Sequence, residues 1–347
     1  MTGLVYDDAY LTHGDPHHPE NADRLRSAVA HLKATGLWEG LAHLPARPAT
    51  LEEVLWVHTE DYLEELELIC RRGGGSLDAD TRATAETYEV ALLAAGGCLA
   101  AAEAVLQGKV ENALCLVRPP GHHALPGQGM GFCFLSNVAL AAELALRRGH
   151  RDQVTIVDWD VHHGNGTQDV FFDRGDVQFI SLHQGGLYPG TGSVDEVGID
   201  AGAGKTVNIM LPAGAQDAHY VEAFQELVIP LIRAFEAEML FVSCGFDGHA
   251  ADPLARMCLT NTGYYAMTRM LVDLAARQCQ GRLVVVLEGG YDLSAMERGT
   301  EAVCRALMRL DPPEPEHVPF VVHESVTRQV DEWLQQNIEL HRQRLGV

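Results

Sequence analysis

The sequence predicts an α/β fold: a single domain with a mainly parallel central sheet and helices on both faces. Apolar runs of strand length alternate along the chain with longer helical patterns. The strand runs are almost continuously apolar, which is typical of strands buried on both faces of a parallel sheet. With 347 residues, of which 47% are hydrophobic, the chain can bury a large core.

Six segments have the length and composition of buried strands: residues 113–117, 154–157, 177–182, 205–211, 239–243 and 283–287. Five segments have the apolar spacing of helices: residues 22–35, 84–106, 136–148, 217–237 and 262–279. We expect the fourth helix to break or kink near Pro230, because proline lacks the backbone donor. The three glycines at 73–75 indicate a loop tip.

A proline-rich linker at residues 311–316 precedes the last predicted element. An apolar stripe then predicts a C-terminal helix at about residues 322–345. Its apolar positions are Val326, Val330, Trp333 and Ile338. Such a stripe packs on the parent domain more often than on a partner subunit, so we assign residues 1–347 to one domain. Docking on a partner, and hence an oligomer, is the alternative.

The composition excludes some partners. A formal net charge of −23 argues against nucleic acid, because phosphate binding requires a basic surface. An acidic surface could instead attract lysine-rich peptides or polyamines. The chain has no run of 18 apolar residues and no basic, apolar leader, so we expect a soluble, cytoplasmic protein that does not bind membranes. The eight cysteines include no C-x-x-C pair and are expected to be reduced core residues.

Polar motifs follow four predicted strands, at the edge of the sheet where parallel α/β folds form ligand sites. One of them begins after the strand at 154–157. Side chains alternate along a strand, so Asp158, Asp160 and His162 share one side if the strand geometry continues through them. Two carboxylates and an imidazole are costly to bury together unless they bind a cation. This stretch therefore predicts a metal site.

Asp247 is predicted to complete the ligand set, because it directly ends another buried strand. An isolated aspartate after a strand is more often a helix N-cap than a metal ligand. Because Asp247 lies at the same edge of the sheet as the other polar motifs, we interpret it as a metal ligand. Three protein ligands plus water are typical of catalytic zinc, so we assign Asp160, His162 and Asp247. Asp158 could bind a second, hard cation or could form a salt bridge.

His122 and His123 follow a rigid Pro-Pro-Gly turn that could re-aim adjacent side chains. Histidine can act as general base and general acid near neutral pH. Because the pair faces a metal motif, we predict that it is catalytic rather than part of the core. Tyr291, in a Gly-Gly-Tyr turn, could donate a hydrogen bond to an oxyanion beside the metal.

Aromatic residues occur next to glycine and proline in two other segments, Gly131-Phe132 and Tyr188-Pro189. Core packing is the usual role of such side chains. Next to a metal site, Phe132 and Tyr188 could instead form the walls of a narrow channel. Such a channel would suit an aliphatic linker whose carbonyl reaches the metal.

Together these motifs resemble the zinc-dependent histone deacetylase family, which includes bacterial acetylpolyamine amidohydrolases, and they are most similar to its class II enzymes. The matching segments span about residues 15 to 300: His18–Asn21, Arg118–Ala124, Gly131–Asn137, Asp158–Gln168, Ser181–His183, Tyr188–Gly192, Gly245–Asp247, Asp252–Leu254 and Glu288–Asp292.

The resemblance implies an arginase-like α/β fold and hydrolysis of N-acyl amides. It implies zinc on the three assigned ligands, acid–base roles for the paired histidines and an oxyanion-stabilising role for Tyr291. Phe132 and Tyr188, with Gly131, match the tunnel of the family. Asn165 stands where class I enzymes carry an aspartate, so His123 would have a weaker electrostatic partner.

The resemblance also implies potassium close to the zinc. The residues that would hold it are Asp158, Asp160, His162, Ser181 and Leu182, with main-chain carbonyls supplying several of the contacts. A second cation would lie near Phe171, Arg174 and Val177.

Acyl-lysine in a protein or peptide is the expected substrate, and an acetylated polyamine is the alternative. In polyamine-selective relatives a glutamate occupies the position of Leu254, which carries no charge here, although Asp78, Asp80 or Glu86 could supply an acidic rim. An alternative of another class is a non-catalytic metal-binding scaffold or ligand sensor. A dinuclear, arginase-like hydrolase is a further alternative, although only one clear ligand triad is visible.

Overall fold

Parallel strands form the centre of the computed structural model, which describes residues 1–149, 151–316 and 322–345. The strands are β1 (Thr2–Val5), β2 (Ala42–Leu44), β3 (Gly74–Ser76), β4 (Arg82–Thr84), β5 (Asn112–Cys115), β6 (Val154–Asp158), β7 (Val177–Gln184), β8 (Thr206–Leu211), β9 (Met239–Cys244) and β10 (Leu283–Leu287). Eight of them form one sheet in the order β2-β1-β5-β10-β9-β6-β7-β8, and every pair in it is parallel.

Helices cover both faces of this sheet, as the nearly continuous apolar strands require. They are α1 (Asp23–Ala34), α2 (Leu51–Val54), α3 (Glu60–Arg71), α4 (Thr87–Leu106), α5 (Asn137–Arg147), α6 (Asn165–Phe171), α7 (Asp217–Ala223), α8 (Ile229–Phe235), α9 (Asn261–Gln278), α10 (Leu293–Leu307) and α11 (Glu324–Leu345). One layer contains α4, α5 and α6, and the other contains α1, α9 and α10. The predicted fold class is confirmed.

The six predicted strands are present, with ends that differ by at most two residues. The segment at 217–237 is broken as predicted: a π-helical turn, Phe224–Val228, separates α7 from α8, and Pro230 lies in the first turn of α8. Strands β1 and β2 and helices α2, α3, α6 and α10 were not predicted. Most of these elements are short, so they show too few periods of an apolar pattern.

The prediction that residues 73–75 form only a loop tip was wrong. Gly74 and Gly75 belong to β3 and pair with Thr84 and Ala83 of β4 in a small antiparallel hairpin. The close approach requires glycine, because a Cβ on Gly74 would lie 2.4 Å from the main-chain oxygen of Ala83. Because β4 extends to Thr84, α4 begins at Thr87 and not at the predicted residue 84.

Helix α4 is long and apolar enough to cross a membrane by length and composition alone. Most of it is buried, and it packs against α5 and four strands of the sheet. Those contacts explain its apolar sequence as that of a core helix.

Helix α11 packs on α7 and on the sheet edge formed by β8. Val330, Leu334 and Ile338 are buried in this contact, so the predicted stripe faces the domain. Trp333 was placed in the stripe incorrectly: its side chain is 42% exposed. Positions four apart lie on one face of a helix, so Leu334 rather than Trp333 continues the line from Val330 to Ile338.

The carboxyl ends of four neighbouring strands lie side by side. Asp158, the last residue of β6, pairs with Ser181 of β7 and with Ser243 of β9. On the other side of β9, Cys244 pairs with Leu287 of β10. Because neighbouring strands are about 5 Å apart, the polar loops that follow them start within contact distance of one another.

Candidate active site

The loops after β6 and β9 bring together the residues predicted as metal ligands. The ligand atoms of Asp160, His162 and Asp247 all lie within 4.8 Å of one another. His162 Nδ1 is 3.2 Å from Asp160 Oδ1 and 3.0 Å from Asp247 Oδ2. Both aspartates are buried. The predicted triad is therefore a compact cluster that could hold a metal ion.

Main-chain N–H groups hold the two aspartates. Gly289 N donates to Asp160 Oδ2 at 2.8 Å, and Val161 N donates to Asp247 Oδ1 at 3.0 Å. A side chain at Gly289 would not fit, because its Cβ would lie 2.3 Å from Asp247 Oδ2 and 2.6 Å from Asp160 Oδ2. The glycine therefore lets the main chain approach both carboxylates, while the other oxygen of each faces His162.

His122 lies between two carboxylates. Its Nδ1 is 3.0 Å from Asp158 Oδ2, to which it donates, and its Nε2 is 3.7 Å from Asp160 Oδ1. Burial disfavours a charge on the ring, but Asp160 and Asp158 outweigh burial and raise the pKa of His122 to about 10. Asp158, whose role the sequence left open, is thus the hydrogen-bond partner of His122.

His123 has a different environment. Its Nδ1 is 2.8 Å from Asn165 Oδ1, while Asn165 Nδ2 is directed at Met130 Sδ. An amide oxygen only accepts, so Nδ1 carries the proton and Nε2 keeps a free lone pair. Burial, with help from His122 and His162, holds the pKa of His123 well below its ordinary value. His123 is therefore a neutral imidazole that can accept a proton at Nε2.

Glu288 is a buried residue whose role sequence reasoning missed. Directly after β10, its Oε2 accepts from Gly121 N at 2.7 Å and from His122 N at 3.1 Å. It thereby fixes the turn that carries the paired histidines. Burial raises the pKa of Glu288 to about 7. The available signal was a carboxylate directly after a buried strand, the same signal that identified Asp247.

Asp252 anchors the loop that carries Tyr291, and its role was also missed. Its Oδ2 accepts from Tyr291 N at 2.6 Å and from Asp292 N at 3.2 Å, and its Oδ1 accepts from Leu254 N at 3.0 Å. One carboxylate therefore sets the position of both the tyrosine and Leu254. Leu254 itself is 37% exposed, consistent with a place at the rim.

A buried arginine holds the same loop from another direction. Arg24 donates to the main-chain oxygens of Glu288 and Gly290 at 2.5 and 2.6 Å. Glu20 balances its charge at 2.8 Å and also pairs with Arg118 at 2.5 Å. All three ionised side chains are buried, so they require one another, because an unpaired buried charge costs several kcal/mol.

The predicted tunnel residues surround the predicted catalytic side chains. The Tyr188 ring lies 5.1 Å from the ring of His123, and the Phe132 ring lies 5.9 Å from that of Tyr291. Gly131 separates His123 from Tyr188, because a Cβ there would be 2.4 Å from His123 Cδ2 and 2.8 Å from Tyr188 Cε1. Burial, followed by the charge of nearby Asp247, raises the pKa of Tyr291 well above its ordinary value, so the phenol stays protonated.

Acidic residues of the β3–β4 hairpin lie near this tunnel. After burial, the charges of Asp78 and Asp80 raise the pKa of Tyr188. Asp80 and Phe132 line the same cavity of about 770 Å³, and Phe132 N donates to Thr81 Oγ1 at 3.0 Å. The hairpin therefore brings negative charge to the mouth of the site.

The residues predicted to hold potassium lie where β6 and β7 pair. Ser181, which pairs with Asp158, has its Oγ 2.9 Å from His183 Nδ1, while His183 Nε2 is 3.1 Å from the main-chain oxygen of Gly192. A carbonyl only accepts, so Nε2 donates and Nδ1 accepts from Ser181. Among the residues that the structure describes, no group donates to Ser181 Oγ, and Leu182 follows in the same strand.

The residues predicted for a second cation surround the turn between α6 and β7. Phe171 ends α6, Val177 begins β7, and Arg174 between them pairs with Asp176 and Glu143. That site stays a prediction.

A family model described as Histone deacetylase domain matches residues 18–307 of the chain. This chain belongs to the histone deacetylase family. The matched range includes the strand ends and the loops from His122 to Tyr291. The resemblance drawn from the motifs is thereby confirmed.

Relatives with related names cover most of the chain. A probable deacetylase of Archaeoglobus fulgidus is 44% identical over 296 residues, which are 84% of this chain and 82% of that protein. A histone deacetylase-like amidohydrolase of Pseudomonas aeruginosa is 46% identical over 280 residues, which are 80% and 73% of the two proteins. The crystal structure of the HDA15 HD domain matches with a TM-score of 0.88 at 37% identity and covers 99% of this chain and 95% of that one.

These matches confirm the α/β fold and make the chain a hydrolase of the deacetylase type, as predicted. Zinc is typical of the family, and the Asp160, His162 and Asp247 cluster offers a group that could hold it.

Asp252→Asn should lower kcat about 10- to 100-fold, because an amide cannot replace all three main-chain contacts of the carboxylate and a misplaced Tyr291 is costly. Metal content should not change, since Asp252 contacts none of the three predicted ligands directly by hydrogen bond. The checks are steady-state kinetics on an acetyl-lysine peptide and metal analysis. Asp61→Asn, an exposed site on α3, is the matched control. Unchanged kcat would contradict the anchoring role.

Proposed function

We propose that the protein is a zinc-dependent amidohydrolase that removes acyl groups from lysine side chains of proteins or peptides. The observation that carries the proposal is the contact between the predicted metal ligands and the paired histidines. The Asp160, His162 and Asp247 cluster lies beside the paired histidines, with His122 Nε2 3.7 Å from Asp160 Oδ1. Hydrolysis of an amide needs an electrophilic centre and a proton-transferring group next to each other.

The donor set of the cluster fits zinc. Two carboxylates and one imidazole leave a coordination position for water or substrate, as catalytic zinc sites do. A cation held by His162 Nδ1, Asp160 and Asp247 would also balance the buried negative charge, which is now shared with the imidazoles. Zinc supplies polarisation of the acyl carbonyl and activation of water.

The paired histidines have distinct roles in the proposal. Neutral His123 accepts a proton from the attacking water at Nε2, because Asn165 fixes its Nδ1–H. His122, whose Nδ1 is bound to Asp158 and whose pKa is raised, carries a proton that it can give to the leaving amine. A cation on Asp160 would weaken one of the attractions that raise the pKa of His122, while those of Asp158 and Glu288 remain, and would therefore lower that pKa.

Tyr291 stabilises the negative charge on the acyl oxygen. Its phenol stays protonated, so it can donate a hydrogen bond to that oxygen. Its loop is fixed by Asp252 on one side and by Arg24 on the other. The donor is therefore pre-positioned, and its contribution needs no rearrangement during the reaction.

Acyl-lysine is favoured over polyamine by the uncharged, exposed Leu254 at the rim. Asp78 and Asp80 support cationic substrates of either kind, because lysine-rich peptides and polyamines are both attracted to carboxylates. An acetylated polyamine therefore stays the second candidate. A non-catalytic scaffold with the same pocket is the third, and it would bind zinc without turning over any acyl amine.

We also propose a potassium ion next to the zinc. Support comes from Ser181 Oγ, to which no group in the described part of the chain donates, and from the pairing of Ser181 with Asp158 at the strand end. Oxygen ligands on two adjacent strands suit a hard cation.

Tyr291→Phe should lower kcat about 10²- to 10³-fold, because it removes an oxyanion donor without removing the ring. His123→Ala should lower kcat by about 10²- to 10⁴-fold through loss of the general base. Both are measured on an acetyl-lysine peptide with protein of defined zinc content, and circular dichroism checks the fold. The control is Tyr88→Phe, a partly exposed position on α4. Near-wild-type turnover by either variant would rule out the assigned role.

The substrate class is tested by comparing kcat/KM for acetyl-lysine peptides with that for acetylated putrescine and spermidine. We expect the peptides to be preferred. Leu254→Glu should raise kcat/KM for the polyamines about fivefold, since an exposed ion pair contributes about 1 kcal/mol. Leu254→Gln is the neutral control of similar size. A strong polyamine preference in the unchanged protein would favour the second candidate, and zinc-loaded protein that is inert toward all of these substrates would favour the scaffold.

Replacing potassium by sodium at constant ionic strength should change kcat, because the smaller ion fits the oxygen ligands differently. Ser181→Ala should shift the potassium concentration that gives half of the effect to higher values. The measurement is kcat as a function of potassium concentration. Turnover that is indifferent to the alkali ion would exclude this cation site.

A further inference from the structure

A second cluster of metal-ligating side chains lies beside the first. The ligand atoms of His122, Cys133 and Glu288 lie within 4.8 Å of one another, and all three side chains are buried. Three points that are this close all lie within about 2.8 Å of a common centre. Shifts of about 0.5 to 0.8 Å would therefore bring them to zinc-bonding distances of about 2.0 to 2.3 Å.

Local contacts hold each of these donors near the cluster. Glu288 Oε2 accepts from Gly121 N and His122 N, whereas Oε1 has only a long contact, 3.3 Å, from Ser243 Oγ. Cys133 Sγ is 3.4 Å from the main-chain oxygen of Gly131. The second carboxylate oxygen and the sulfur are thus weakly engaged, and an ion could take them without breaking a strong hydrogen bond.

We propose that His122, Cys133 and Glu288 form a second, inhibitory binding site for a thiophilic divalent ion such as zinc. Nitrogen, sulfur and carboxylate oxygen are all donors that zinc accepts. On binding, bonds form from the ion to Cys133 Sγ, to a ring nitrogen of His122 and to a carboxylate oxygen of Glu288, and the thiol proton and the proton on that ring nitrogen are released to solvent. No oxidant or reductant takes part.

Inhibition follows from the residue that the two functions share. The proposed function assigns His122 a proton-donating role, with Nδ1 on Asp158 and Nε2 facing Asp160. An ion on either ring nitrogen replaces the proton there and ends that role. Activity should therefore rise as the first ion binds and fall as the second binds. This part of the inference rests on the proposed function, whereas the binding itself does not.

Cobalt titration of metal-free protein distinguishes the two sites, because the first cluster contains no sulfur. The first equivalent of Co²⁺ should give visible d–d absorption without a sulfur-to-cobalt charge-transfer band. A second equivalent should add that band in the near ultraviolet. Cys133→Ser should bind the first equivalent normally and never show the band. Cys258→Ser, at a partly exposed cysteine elsewhere in the chain, is the matched control and should retain it.

The second experiment measures turnover as zinc is added to the protein. Past one equivalent, activity of the unchanged protein should fall at least about tenfold, as expected when an acid–base residue is blocked. Cys133→Ser with one zinc should be active and should resist the excess.

Absence of a sulfur band at saturating cobalt, or its persistence in Cys133→Ser, would overturn the second site. Equal inhibition of both proteins by excess zinc would overturn its inhibitory role. A one-zinc protein that is inert toward every substrate would instead count against the proposed function, so the two failures are separable.

Discussion

Burial of several carboxylates at the ends of three adjacent strands is the constraint on which the rest of the site depends. Asp158, Asp160, Asp247 and Glu288 are all fully buried. Burying an ionised carboxylate without compensation costs several kcal/mol, so each needs donors or a cation close by. Main-chain N–H groups of Val161, His122 and Gly289 supply part of this compensation, and at Gly289 the approach is so close that a side chain would not fit. Glycine at position 289 is thus a consequence of the buried charge.

The supports of the site are shared, so its parts cannot move independently. Glu288 fixes the paired histidines through its carboxylate, while its own main-chain oxygen accepts from Arg24. Arg24 also holds Gly290, next to Tyr291, and its charge is balanced by Glu20 in the N-terminal part of the chain. The proton-transfer and oxyanion sides of the site are therefore connected through one glutamate and one arginine. Disturbing either residue should affect both sides.

Prediction from the sequence was most successful where the role of a residue follows from its type and its position along a strand. Apolar runs followed by carboxylates located the strand ends, and the strand alternation, extended past Asp158 at the end of β6 into the following loop, selected Asp160 and His162. It failed where a role depends on which distant atom a side chain meets. Nothing local to Asp252 shows that it binds the main chain of Tyr291, 39 residues away. The short strands β1 and β2 were missed for another reason: three or four residues carry too little pattern, and their pairing with the sheet stabilises them.

The contact between α11 and β8 includes hydrogen bonds to the main chain as well as apolar packing. Trp333 Nε1 donates to the main-chain oxygen of Met210, and His341 Nε2 contacts that of Asn208, so two helix side chains occupy outward carbonyls of the edge strand. An uncovered edge is a template for strands of other molecules. Because α11 follows every strand in the chain, a ribosome completes the whole sheet before it makes the helix that protects its edge. The nascent chain therefore passes through an interval in which association with other copies competes with its own completion, and the docking of α11 ends that interval.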